Sequence, residues 1–238
     1  MKKAIVIGVG PLEGLGARLC QRFAAEGLHV IAAGRTGESL EAVTKRIRDD
    51  GGEATSVVAD ATREEDVLQL FDVAGDELDL AIYNVGNNTP GRIVDMEAAY
   101  FEQAWRIGCF GGFLFGREAV RRMLPNGAGT LLFTGASASL RGRARFGAFN
   151  AAKGALRNLA QAMAKEYGPE GVHVGHVVID GPIAGDKIIK GLPEYADKVG
   201  EAGMIDLDGI AEAFVTLYRQ QPRAWTFEMD VRTSQERW

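Results

Sequence analysis

Cysteine is scarce: Cys20 and Cys109 are the only two in 238 residues. Their separation fits neither a metal site nor a disulfide framework. That excludes a disulfide-stapled secreted scaffold and points to a reducing compartment, the cytoplasm. Histidine occurs three times. His173 and His176 share one apolar stretch, but at that spacing on a strand they face opposite ways. No other ligand spacing accompanies them, so no metal is expected. No apolar run is long enough to span a bilayer. The opening Met1-Lys2-Lys3 and the apolar residues after it break at Gly8-Val9-Gly10-Pro11 without a cleavage site, so they read as a first buried strand rather than a signal peptide. Net charge is only −5. There is no basic excess to attract nucleic acid or an anionic membrane surface. No linker rich in Pro, Gly and Ser divides the chain, and no repeat or low-complexity tract interrupts it.

A hydrophobic content of 46% and a charged content of 25% are those of a globular chain able to bury a large core. Short apolar runs alternate with longer segments of helical period. Strands are expected at 4–9, 29–33, 54–59, 78–84, 129–134, 172–179 and 225–231. Helices are expected at 15–26, 39–50, 64–74, 98–123, 148–167 and 208–220. Residues 186–203 are polar and read as a mobile substrate lid. Continuous apolar strands separated by helices imply one Rossmann-like, doubly wound parallel sheet of about seven strands, covered on both faces, in a single domain spanning 1–238.

The segment Gly8-Val9-Gly10-Pro11-Leu12-Glu13-Gly14-Leu15-Gly16 sits between the first strand and the first helix. A pyrophosphate can approach backbone closely there only where side chains are missing, and the helix start favours its charge. The strand before it and the helix after it make this a dinucleotide turn, with Leu12 and Leu15 flanking the glycines. The second strand ends Ala33-Gly34-Arg35-Thr36. An acid there would bind a free ribose 2′-hydroxyl, whereas Arg35 suits a 2′-phosphate. NADP is therefore expected over NAD. Glu13 in the glycine turn counts against it.

With these residues the chain resembles the short-chain dehydrogenase/reductase family over nearly its whole length. Gly10, Gly14 and Gly16 match that family's glycine signature. The resemblance implies that Asp60-Ala61 contact the adenine and that Asn84-Val85-Gly86 form part of the cofactor site, with Tyr83 replacing a first asparagine. It implies that Lys153 binds the nicotinamide ribose and that Gly181 and Ile183 cradle the nicotinamide. It also implies a homodimer or homotetramer acting on a small organic molecule.

The departures fall on the chemistry. In the family pattern an asparagine stands where this chain has Gly108, a serine where it has Ala136, and a tyrosine where it has Phe149. Only Lys153 remains. Phe149 cannot protonate an alkoxide, and losing a general acid costs ~10²–10⁴ in rate. Three readings follow. The substrate needs no proton at the hydride step, as with an iminium ion or conjugated acceptor facing Phe146 and Phe149. Or another group is the acid: Ser137, Asp180, Tyr195 or Lys153 itself. Or the protein binds cofactor as a scaffold, sensor or partner subunit and does no chemistry. A register change could turn Ser137 or Ser139 into the site. His176 and Asp180 share a strand face and could form a relay. Arg141, Arg143 and Arg145 could meet an anionic substrate.

Overall fold

A computed structural model describes residues 1–86 and 88–236. Seven strands form one sheet: β1 (Lys3–Ile7), β2 (His29–Gly34), β3 (Ala54–Val58), β4 (Leu78–Tyr83), β5 (Gly129–Thr134), β6 (Val172–Ile179) and β7 (Glu228–Val231). Their order is β3-β2-β1-β4-β5-β6-β7, and each neighbouring pair is parallel. The expected doubly wound sheet is therefore the observed one. Its order reverses between β1 and β4, the place where such sheets open a crevice for ligands.

Strand periodicity divides the core. In β1, Ala4 and Val6 face one layer of helices, while Ile5 and Ile7 face the other. On the first side pack α1 (Leu15–Ala25), α2 (Gly37–Asp49) and α9 (Leu207–Tyr218). On the second pack α3 (Glu64–Ala74), α5 (Gly111–Met123) and α6 (Gly147–Tyr167). Full burial of Phe23, Phe71, Phe115, Phe133 and Phe214 anchors both layers. Each such side chain contributes about 1.5–3 kcal/mol.

Two expectations need correction, and the region expected as a lid shows its own structure. The helix expected over 98–123 is α4 (Ala98–Trp105) and α5 joined through a π-helical turn, Arg106–Phe110. The wider turn frees a carbonyl, and the Tyr83 hydroxyl donates to Ile107 O at 2.6 Å. A Cβ on Gly108 would lie 2.6 Å from Ala152 Cβ, so glycine lets α6 close onto this turn. The region 186–203 is partly helical. It holds α7 (Asp186–Ile189) and α8 (Pro193–Val199), and Asp186 N donates to Glu13 O at 2.8 Å. The last strand starts at Glu228 rather than Trp225. Phe227 packs on one layer while Met229 and Val231 pack on the other, so the alternation read from the sequence breaks where β7 begins.

A buried polar chain ties β7 to the loop after β5. Arg157 of α6 holds Glu228 with two hydrogen bonds, at 2.6 and 2.8 Å. Glu228 Oε2 lies 2.9 Å from His176 Nδ1, and His176 Nε2 lies 3.4 Å from Ser139 Oγ. With its Nδ1 proton given to Glu228, the neutral ring accepts from Ser139. Ser139 Oγ in turn accepts from Ala136 N at 3.2 Å. Burial pushes His176 down from 6.5 to about 4, against the opposing pull of Glu228.

The sign of that shift fixes a pH dependence. Between 6.5 and about 4 the unfolded chain binds a proton that folded His176 does not, so stability falls as pH falls. The loss by pH 4 is on the order of 3 kcal/mol. Glu228, held below its ordinary value first by the Arg157 hydrogen bonds, adds a loss only below its unfolded value of 4.5. Urea unfolding across this range is expected to show the slope in the natural protein and to lose most of it in His176→Gln. Gly108→Val is expected to cost about 1–3 kcal/mol by overpacking against Ala152, read as a lower urea midpoint at pH 7.

Candidate active site

The glycine turn is built by close backbone approach. Gly8 has φ +93°, and a Cβ there would stand 2.4 Å from Asn84 O. Its N–H and that of Val9 both donate to Ala33 O, at 3.0 and 2.9 Å. Gly10 has open space where a side chain would project. Gly14 is the residue before α1 and supplies no side-chain cap, so the first N–H groups of α1 remain available for an anion. Gly16 packs against Gly8 O, while Leu12 and Leu15 belong to the core beneath the turn.

Asn84 staples the strand ends. Its Nδ2 donates to Gly8 O at 3.3 Å, and its Oδ1 accepts from Thr134 Oγ1 at 3.0 Å. The next carbonyl, Val85 O, accepts from Lys153 Nζ at 3.2 Å, and Thr134 O accepts from the same ammonium at 2.8 Å. A Cβ on Gly86 would touch Nζ at 3.4 Å. Gly8, Asn84, Val85, Gly86 and Lys153 thus form one continuous edge over β1, β4 and β5. Lys153 is 4% exposed. Burial first, then the charge of Lys187, pushes its ammonium down to about 8.

At the other end of the crevice Arg35 follows β2 and is exposed. Burial alone would raise the Asp60 carboxyl. Hydrogen bonds from the Thr62 N–H and hydroxyl, with the charges of Arg35 and Arg63, carry it below its ordinary value instead. Arg35 and Asp60 are therefore electrostatic neighbours. Ala61 is buried in the core beneath α5. Gly181 and Ile183 lie against Ile205, which bridges to Ile183.

Several expected acids are committed elsewhere. Asp180 is not placed as a proton donor. Its carboxylate accepts two hydrogen bonds from Arg141 Nη2 and one from Nη1, at 2.8–3.0 Å, with Arg232 at 3.5 Å. The expected His176–Asp180 relay is replaced by His176–Glu228. Ser139 points into that network rather than toward a substrate. Ser137 is half-buried in the turn Ser137–Ser139, and its hydroxyl bonds no described residue. Of the three loop arginines, Arg141 is taken by Asp180, and Arg143 lies over the Phe146 ring at 5.1 Å. Arg145 is the one described non-glycine residue with positive φ, +72°. Phe149 is half-buried one turn before Lys153. The sequence reading missed Arg157 and Glu228. The spacing of Lys153 and Arg157, one turn apart on a helix, was the available signal for the first. Nothing local announced the second.

The fittings of a dinucleotide site are thus present: an uncapped helix start over bare glycines, and a buried ammonium beside them. Comparison with known proteins agrees. Residues 2–186 match the short chain dehydrogenase family. A short-chain dehydrogenase structure from Rhodopseudomonas palustris superposes with a TM-score of 0.83 at 36% identity, covering 97% of this chain and 98% of that one. Sorbitol-6-phosphate 2-dehydrogenase of Escherichia coli is 30% identical over 203 residues, 83% of this chain and 78% of the relative. The uncharacterized oxidoreductase YuxG of Bacillus subtilis is 30% identical over 192 residues, which span 28% of its own length. The chain belongs to the short-chain dehydrogenase family, the NAD(P)-dependent oxidoreductases that this sheet and this glycine turn serve.

Proposed function

We propose that the chain is an atypical member of that family, with Phe149, Ala136 and Gly108 in place of its tyrosine, serine and asparagine, and that it transfers hydride between NADP(H) and a small, activated organic substrate. The observation that carries this reading is the unbroken edge from Gly8 through Asn84 and Val85 to the Lys153 ammonium. When bound, a reduced nicotinamide supplies the hydride. The chain's residues do the rest. The N–H groups at the start of α1 receive the pyrophosphate, with Gly10 leaving the space. Arg35 receives the 2′-phosphate and favours NADP over NAD. Asp60 and Ala61 border the adenine, Lys153 and Gly86 the nicotinamide ribose, and Gly181 and Ile183 the nicotinamide.

Residues 186–203 act as the substrate lid, joined to the glycine turn through Asp186 N and Glu13 O. Phe146 and Phe149 offer a flat apolar wall, which suits conjugated or cationic acceptors. The exposed aromatic side chains Phe101, Trp105 and Phe113 on α4 and α5 fit a homodimer or homotetramer, and the two buried free cysteines fit the cytoplasm.

Calorimetry is expected to show tighter uptake of NADPH than of NADH, with Arg35→Asp weakening NADPH about 10- to 100-fold, the range of one charge-assisted contact. No uptake of either coenzyme would remove the reading. The double change Phe149→Tyr with Ala136→Ser is expected to raise reduction of unactivated ketones by ~10²–10⁴. Light scattering is expected to give a dimer or tetramer, and a monomer would end the assembly claim.

A further inference from the structure

We propose that Lys153 is itself the proton donor when a carbonyl is reduced, giving its third ammonium proton to the substrate oxygen; this rests on the hydride-transfer reading above. An ammonium carries three donors. Two are spent on Thr134 O and Val85 O, at 2.8 and 3.2 Å. The third meets no acceptor among the described residues, although Lys153 is 96% buried by its 4% exposure. Gly86 presents only backbone to Nζ.

This geometry makes one proton transferable and two not. After the third leaves, the neutral amine still has two N–H bonds for its two carbonyls, so nothing around it must move. The carbonyl carbon gains hydride with its electron pair, and the C=O π pair passes to oxygen. Oxygen takes the proton from Lys153 Nζ, and the N–H pair stays on nitrogen as a lone pair. The amine regains a proton from solvent as product leaves.

The surrounding charges suit a donor. Lys187 of α7 repels the ammonium, and burial adds to that. His176 of β6 is neutral near pH 7, and its carboxylate Glu228 of β7 is held by Arg157 of α6. Tyr83 of β4 and Cys109 of the π turn are both raised by burial and stay neutral. Three competing donors are already committed. Asp180 accepts from Arg141, Ser139 donates to His176, and the Tyr83 hydroxyl donates to Ile107 O. Ser137 has neither base nor cation bonded to it.

The test compares two acceptors in the natural protein with NADPH from pH 6 to 10. One is an activated α-keto ester, which needs a proton. The other is an N-alkyl cyclic iminium ion, which does not. The expected kcat/KM for the keto ester falls about tenfold per pH unit above about 8, while the iminium ion shows no such limb. In Lys153→Arg, whose guanidinium keeps its charge but releases no proton, the limb disappears. Keto-ester reduction at pH 7 then falls at least about 10²-fold further than iminium reduction does. Equal losses for the two acceptors, or one limb shared by both, would make Lys153 a cofactor-binding group only and overturn the proposal. A readout free of turnover is the 13Cε-lysine NMR titration of the cofactor-free chain, with Lys153→Arg assigning the signal. A midpoint near 8 supports the donor; one at the ordinary ~10.4 overturns it. Turnover of neither acceptor overturns the hydride-transfer reading itself, and the donor proposal falls with it.

Discussion

The arrangement turns on one buried ammonium held by two main-chain carbonyls at the ends of β4 and β5. It has no carboxylate partner among the described residues, so its charge is a cost to folding. The direction follows from the lowered value. Below about 8 both folded and unfolded chains carry the proton, and the folded chain bears the desolvation. Between about 8 and 10.5 only the unfolded chain keeps it, and that burden is relieved as pH rises. Lys153 is therefore destabilising near neutrality and reaches full relief only in alkali. A residue retained at such a cost is better explained by chemistry than by packing. The packing around it can bear the burden because α6 is clamped on both sides of Lys153: by Ala152 against Gly108, and by Arg157 onto Glu228.

The same clamps account for the fate of the other polar groups. Ser139, His176 and Glu228 line up as hydroxyl, imidazole and carboxylate, an order that in an open cleft would suggest nucleophilic catalysis. Here His176 is fully buried and Ser139 nearly so. The chain runs from the loop after β5 to the edge strand and holds Ala136 through its N–H to Ser139 Oγ. Asp180 and Arg141 do the same for the next part of that loop, with Glu236 and Arg232 beside them. Polar residues that resemble acids and bases in the sequence are, in the fold, the fastenings of the loop after β5.

What could be read from the sequence was what is local. Runs such as Ala4–Ile7 are apolar on both faces, so their strands and their parallel sheet were legible without a partner. The glycine turn was legible because strand, glycines and helix are contiguous. The π turn was not, because its Ile107 carbonyl is met by Tyr83 of β4, 24 residues away. The start of β7 was misread because an alternating pattern from Trp225 to Val231 outran the pairing with β6, which begins at His176 and Glu228. That register also sets the His176 partner. Asp180 looked available as an acid only because Arg141 lies 39 residues before it. Each miss is a pairing between residues far apart in sequence, where local pattern carries no information.

Under the proposed reading, positions 149, 136 and 108 are not equivalent, and the packing separates them. Adding a hydroxyl at Phe149 extends a half-buried ring, and adding one at Ala136 places a small group on a half-buried turn residue. At Gly108 even a methyl would sit 2.6 Å from Ala152 Cβ. An asparagine there requires α6 to withdraw, and α6 carries Phe149 and Lys153. The withdrawal would pull Lys153 from Thr134 O and Val85 O, the contacts that leave it a single free proton. Gly108 and Ala152 therefore belong to the geometry that holds Lys153 on its two carbonyls. A side chain at 108 would strain the framework that holds Lys153.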